Sequence, residues 1–247
     1  MPDLTGVHLK LARAKEHFET YKRLIRGLSD NNATYARQQY NKELGRYEWV
    51  VADDWAIPDE CSLIIGDCLH NARSCLDHLA WQLAKTPGRY TYFPIHESSA
   101  AFKDRAPAQM RSMKPTAMEK IEALQSYHYP GKDGLYSLMW LHELDIVHKH
   151  KLLLDTTMRT AGGVATGGLP DSARVQFVSK PFTKGSVFMT AEMPYDPHIQ
   201  VSYLPIGDVV FAHPLVEDRM AQFVLFKVLV DIEVRVLRGF TPEDFWE

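Results

Sequence analysis

The run Asn71-Ala72-Arg73-Ser74-Cys75-Leu76-Asp77-His78 sets an arginine and a histidine five positions apart in a stretch of helical character. Arginine stays cationic and grips phosphate oxygens with a planar fork. Histidine, with an unperturbed pKa of about 6.5, exchanges protons near neutrality. A cation for the phosphoryl oxygens and a proton carrier for the ribose hydroxyl are the least that metal-free RNA cleavage needs. Five residues of a straight helix leave the two directions about 140° apart, so one helix alone does not unite them. Either the long arginine curls round the helix, or a symmetric dimer brings two copies of the helix to one cleft. Asp77 or Asn71 would then orient the imidazole or the ribose. The plainer alternative makes Arg73 and His78 buried polar links between helices.

A second cluster lies in His142-Glu143-Leu144-Asp145-Ile146-Val147-His148-Lys149-His150. His142, Asp145 and His148 advance three residues at a time, so two neighbours could share a zinc or iron ion, with further ligands from His70, His78, Asp67 or His96. The pattern is not His-Glu-x-x-His, because Ile146 stands where the second histidine is needed. In the other reading Asp145 and His148 hydrogen-bond to the polar face of the Arg73 helix, while Lys149, His150 and Lys151 sit near a helix C-terminus. The expected site therefore has Arg73 and His78 as its working pair, Asn71, Ser74, Asp77, Asp145 and His148 in support, and no metal or cofactor. There is no nucleophile elbow, dinucleotide fingerprint, Cys-x-x-Cys pair, or aromatic and basic run of the kind found in single-strand RNA modules.

Local periodicity supplies the elements that carry these groups. Residues 4–28 place Leu11, Ala14, Phe18, Tyr21, Leu24, Ile25 and Leu28 at helical spacing, ended by Ser29-Asp30-Asn31-Asn32, and Tyr47-Glu48-Trp49-Val50-Val51 predicts a short strand or extended arm. From 58 to about 84, Ile65, Leu69, Ala72, Leu76, Leu79 and Leu83 form an apolar stripe. Asp67, His70, Asn71, Ser74, Asp77, His78 and Trp81 gather on the other side, where a merely solvated face would favour Lys and Glu. Pro87-Gly88 closes this helix. A loop with Phe93-Pro94-Ile95-His96 follows, then a weaker helix over 116–127 and a strong one over 135–151, opened by Pro130-Gly131-Lys132-Asp133-Gly134.

Beyond Lys151 the texture alternates. Segments 152–158, 174–178, 186–190, 199–203 and 208–211 predict an antiparallel sheet, with a hairpin around Lys180-Pro181-Phe182-Thr183-Lys184-Gly185. The glycine-rich 162–168 reads as a flexible loop without the lysine and helix of a phosphate-binding loop. Segment 214–238 predicts a final long helix in which Lys227, Asp231, Arg235 and Arg238 share one stripe amid apolar residues, so the bundle or a second subunit must cover it. The expected fold is α+β: an antiparallel helical bundle over 1–151, and an antiparallel sheet plus C-terminal helix over 152–247 packing back on it around a shared core.

Composition narrows the function. With 247 residues, 45% hydrophobic and 24% charged, the chain has the make-up of a globular protein with a substantial core. A net charge of −3 excludes a global field for nucleic acid, so a local patch must serve, and Lys103, Arg105, Arg111, Lys114 and Lys120 could supply it. The charged N-terminus has no secretory pattern and no apolar run reaches about eighteen residues, so the expectation is a cytoplasmic protein without a membrane partner. Cys61, Cys68 and Cys75 recur every seventh residue, roughly 10 Å apart along a helix, too far to bridge.

The segment NARSCLDHLAWQL, with its Arg-x4-His spacing in a helix of a bundle, resembles the signature of the HEPN superfamily. Many members are dimeric, metal-independent ribonucleases whose arginine and histidine converge at the dimer interface. The resemblance assigns those roles to Arg73 and His78, with Ser74 where members often carry Asn, Asp or His. The longer IIGDCLHNARSCLDHLAWQL, with LHELDIVHKHKLLL, is also similar to uncharacterised bacterial and phage proteins over roughly residues 1–155. The expected function is a homodimeric, HEPN-like endoribonuclease acting on RNA in a toxin or phage-defence setting. The alternatives are a non-catalytic bundle that binds a protein partner, as an inactive relative or phage accessory protein would, and a His/Asp metal-dependent enzyme.

Overall fold

A computed structural model describes residues 2–31, 36–53, 57–129, 136–150, 156–167, 169–170, 172–178, 183–199, 202–211, 213–216 and 219–246. The architecture is α+β. Its helices are α1 (Thr5–Asn31), α2 (Asp59–Leu83), α3 (Ser99–Gln109), α4 (Pro115–Ala123), α5 (Tyr136–His150) and α6 (Ala221–Val230), and its strands are β1 (Ala36–Asn41), β2 (Arg46–Val51), β3 (Thr156–Gly167), β4 (Arg174–Phe177), β5 (Val187–Glu192) and β6 (Ser202–Phe211). No helix among the described residues is long and apolar enough to cross a membrane. Proximity groups the chain in interleaved segments: one unit takes Met1–Thr20, Ser62–Leu154 and Phe223–Glu247, the other Tyr21–Cys61 and Asp155–Gln222. The stretch Tyr21–Cys61, expected with the helical half, thus groups with the strands.

In the first unit the apolar stripes lie inside. Val7, Leu11, Ala14 and Phe18 of α1 are buried at heptad-like spacing, and Ile65, Leu69, Ala72, Leu76, Leu79 and Leu83 of α2 are each at most 1% exposed. Helix α3 falls where a loop was expected. Its start is set by Ser98, whose Oγ accepts from the Ala101 amide at 3.2 Å, and it buries Phe102 and Ala106. Helix α4 begins with proline, as a first helical turn allows, and its expected continuation to 127 is a separate turn of 3₁₀ helix, Ser126–His128. The expected opening of α5 at 130–134 lies outside the described residues.

The final helix is interrupted. After α6 the chain passes through a π-helical turn, Asp231–Val236, and a 3₁₀ turn, Leu237–Gly239. Its charged stripe does what the spacing predicts: Asp231, 2% exposed, pairs with Lys227 one turn before it and with Arg235 one turn after, at 3.3 Å. The Ser137 hydroxyl of α5 also donates to that carboxylate, so the buried charge is surrounded by donors.

The second unit holds two antiparallel sheets, ordered β1-β2-β5-β4 and β3-β6. The β1–β2 hairpin turns on Gly45, which takes the left-handed φ of 62°, and on Asn41, whose side-chain oxygen accepts from the amides of Glu43 and Leu44 at 3.1 Å. Strands β4 and β5 pair as the predicted hairpin requires, although residues 179–182 of its connection lie outside the described residues. The glycine-rich stretch corrects the reading from composition: Gly162 to Gly167 belong to β3, paired with β6 through two register shifts. Backbone pairing satisfies that segment without any side chain to signal it.

Candidate functional site

Helix α2 buries its leucine stripe, so its remaining directions are fixed before any site chemistry is considered. Asp77, His78 and Trp81, separated by one and then three residues, come out on the free side near its C-terminal end. There they meet the returning chain. Residues 88–92 fold against themselves: the Gly88 amide donates to Thr91 Oγ1 at 2.9 Å, the Thr91 amide to the Gly88 carbonyl at 2.9 Å, and the Tyr92 hydroxyl to the Arg89 carbonyl at 2.5 Å. Helix and loop enclose a groove of about 370 Å³ whose wall includes Asp77, His78, Trp81, Arg89 and Tyr92. Trp81 is 49% exposed and Tyr92 42%, so both rings are open for stacking.

The imidazole of His78 is exposed and lies against α1 on one side. A Cβ placed on Gly6 of α1 would lie 2.6 Å from His78 Nδ1 and 3.2 Å from Cε1. The Nδ1 edge therefore rests on a residue without a side chain, and Nε2 lies on the side away from that contact. Arg89 makes a cation–π contact with Tyr90, 4.5 Å from its centroid, and has no carboxylate partner among the described residues.

Arg73 is elsewhere. It is 8% exposed and does not line the groove; its Nη2 donates to Asp77 Oδ1 at 2.9 Å and to the Phe93 carbonyl at 2.7 Å. Asp77 Oδ1 in turn accepts from the Phe93 amide at 3.1 Å. The long side chain has curled, as one sequence option had it, but toward the backbone of residue 93 rather than toward His78. Its convergence with His78 on one phosphodiester is thus corrected within a single chain. Arg73 fastens the strand of chain that walls the groove, and it offsets the Asp77 charge that would otherwise repel a phosphate there.

The other expected supports are dispersed along α2 and α5. Asn71 donates to the Asp67 carbonyl at 2.8 Å and accepts from Lys10 at 3.5 Å. Ser74 is half-buried and lies outside the groove lining. Asp145, 4% exposed, binds Lys149 at 2.7 Å and faces His70 Nδ1 at 3.5 Å. His148 packs its ring against Gly66 of α2, where a Cβ would lie 2.1 Å from Nε2. Asp145 and His148 thus lie against the Arg73 helix but make no hydrogen bond to its polar face among the described residues, which corrects the expected hydrogen bonds, and they take no part in the groove.

His142, half-buried on α5, is held neutral: burial, then the charges of Arg73 and His96, push its pKa down to about 4 against the opposing pull of Asp145 and Glu97. Among the described residues no three His, Cys, Asp or Glu side chains are placed to hold a metal ion, so the His142, Asp145 and His148 series has no ligand set there. The three cysteines are buried and unpaired, and burial raises Cys68 and Cys75 to about 12 and Cys61 to about 11, which keeps them as inert thiols.

The basic segment that was to supply positive charge is divided. Lys120 is taken by Asp244 at 2.6 Å, and Lys114 donates to the Glu243 carbonyl at 2.9 Å. The groove's cation is instead Arg89, which sequence reasoning missed together with Tyr92. The signal was present: Arg89-Tyr90-Thr91-Tyr92 interleaves a cation with two aromatic rings directly after Pro87-Gly88. No family model, curated protein or solved structure matches the chain.

Proposed function

We propose that the chain is a HEPN-like, metal-independent endoribonuclease whose reaction takes place in the groove of His78, Trp81, Arg89 and Tyr92. The observation that carries this reading is one solvent-reachable cleft holding an imidazole that rests on Gly6, an arginine without a carboxylate partner among the described residues and two open aromatic rings, with the Asp77 carboxylate in its wall paired to Arg73. Bases stack on Trp81 and Tyr92, a contact open to any sequence. His78 Nε2 takes the proton of a ribose 2′-hydroxyl as that oxygen attacks the adjacent phosphorus. The bond from phosphorus to the 5′-oxygen breaks, and that oxygen takes a proton from solvent. The products are a 2′,3′-cyclic phosphate and a 5′-hydroxyl, and His78 returns its proton to water. Arg89 offsets the charge on the non-bridging oxygens. Arg73 is a positioning residue in this scheme, acting through Asp77 and the chain at residue 93. The proposal includes a homodimer, as the resemblance implies, and a cytoplasmic toxin or phage-defence setting, which the unpaired cysteines suit.

Labelled single-stranded RNA incubated with the protein tests the reading. Cleavage to cyclic-phosphate ends, undiminished by chelator and reduced at least about 100-fold in His78→Ala, is expected. Activity that disappears with chelator, or an undiminished His78→Ala rate, overturns it. The burial of Arg73 favours one second reading, a groove that holds its partner without cutting it. That reading predicts RNA retention weakened by Trp81→Ala with no product in any variant.

A further inference from the structure

Beside the His78 groove lies a second pocket of about 440 Å³, formed by the same 86–91 segment on one side and by Arg111 and Ala108 on the other. Arg89 lines both cavities and stands at their common wall. No carboxylate lines the second pocket, and neither Arg89 nor Arg111 has a carboxylate partner among the described residues. Two guanidinium groups without a carboxylate partner among the described residues line one pocket, and an anion held there would offset both charges.

The pocket is also held in shape. Ala84 bridges Met113, the Lys85 amide donates to the Ser112 carbonyl at 3.0 Å, and the Thr86 amide donates to Ser112 Oγ at 3.0 Å. The Trp246 indole donates to that same Ser112 carbonyl at 2.8 Å. Ser112 makes these bonds from a left-handed backbone, φ 68°, the one such residue other than glycine among those described. The backbone that carries Arg111 is thus tied through Ser112 to the 84–86 segment that leads into Arg89.

We infer that the Arg89–Arg111 pocket is a phosphate subsite that takes the phosphate adjacent to the one reacting at His78, so that the preferred ligand is a strand with at least two successive phosphates. This rests on the proposed RNA reading for the strand, but the affinity for a phosphate group stands apart from it. Binding is measured with three probes: a non-cleavable 2′-O-methyl oligouridylate octamer, the dinucleotide UpU with its single phosphodiester, and inorganic pyrophosphate. Arg111→Ala, an exposed change checked for an unaltered melting temperature, is expected to weaken the octamer about 10-fold and to lower the slope of its salt dependence by about one. The same variant is expected to bind UpU as the parent does and to lose most pyrophosphate affinity. An octamer affinity and salt slope unchanged by Arg111→Ala overturn the subsite while leaving the RNA reading in place. Failure of the parent to bind the octamer sinks the RNA reading, and pyrophosphate binding lost in Arg111→Ala then keeps the pocket as a site for small phosphorylated ligands. Pyrophosphate binding equal in parent and variant, or absent from both, overturns the subsite outright.

Discussion

Replacing Arg73 separates a residue that reacts from one that holds the fold. In Arg73→Met the hydrogen bonds of Nη2 to Asp77 and to the Phe93 carbonyl disappear, and the carbonyl is left buried without its donor. A hydrogen bond to a charged group is worth about 1.5–3 kcal/mol, and an orphaned buried acceptor costs about 1–3 kcal/mol. Two features reduce the sum. Asp77 keeps the Phe93 amide and has 31% of its side chain in solvent, and Arg73 Nη1 is itself buried without a hydrogen-bond partner among the described residues, a cost that methionine removes. The expected loss is about 2–4 kcal/mol, below that of breaking a fully enclosed ion pair. Asp77→Asn leaves the guanidinium buried without a counter-charge and loses a similar amount. The double variant loses at least about 1 kcal/mol less than the sum of the two singles. Urea denaturation followed by circular dichroism gives these differences, and RNA cleavage per folded molecule is measured on the same preparations. The reasoning fails if Arg73→Met keeps parental stability yet abolishes cleavage, because the guanidinium would then be acting on the substrate.

Other expectations follow from the same geometry. Lowering the pH destabilises the fold through His142: its folded pKa of about 4 lies below the unfolded 6.5, so the unfolded chain binds the proton first, and stability falls from pH 6.5 downward and levels off below about 4. At about 1.4 kcal/mol per pH unit the limit is about 3 kcal/mol, less for residual solvent contact, and the difference between parent and His142→Gln in urea titrations across this range should show it; a flat difference refutes it. Gly6→Ala drives a methyl into His78 Nδ1, so cleavage falls while melting changes by no more than about 1 kcal/mol; parental activity would show that the edge resting on Gly6 is irrelevant. Gly66→Ala meets the half-buried His148 ring at 2.1 Å and is expected to cost about 1–3 kcal/mol by thermal denaturation, relieved in the His148→Ala background. Cys68 and Cys75 should resist a thiol reagent in the native state and react in urea, and rapid native labelling would contradict their burial.

Local signals made the helices readable. The leucine stripe of α2 and the Lys227–Asp231 pair depend only on 3.6 residues per turn and are realised as spaced, and the Asp231–Arg235 pair forms as well although its turn is π-helical. Helix α3 was missed because its hydrophobic periodicity is faint: Phe102 and Ala106 are its only buried residues, and its clearest mark is the single cap at Ser98. The β1–β2 hairpin was half seen, as strand composition at 47–51, because β1 is polar and owes its place to pairing with β2. The glycines of β3 were mistaken for a loop for the same reason: a strand held by its partner's backbone needs no propensity of its own.

For the site, the sequence determined which groups α2 turns to its free side, since burying Leu76, Leu79 and Leu83 leaves no other direction for His78 and Trp81. Tertiary structure decided what they meet. Whether Arg73 reaches a phosphate or a carbonyl depends on where the chain returns after Pro87-Gly88, and it returns with Phe93 under the guanidinium and Arg89 beside His78. Spacing along a helix is a covalent property that a single segment fixes. The partners of a long flexible side chain are set by whichever remote backbone the whole fold brings within about 3 Å, and no local pattern encodes that.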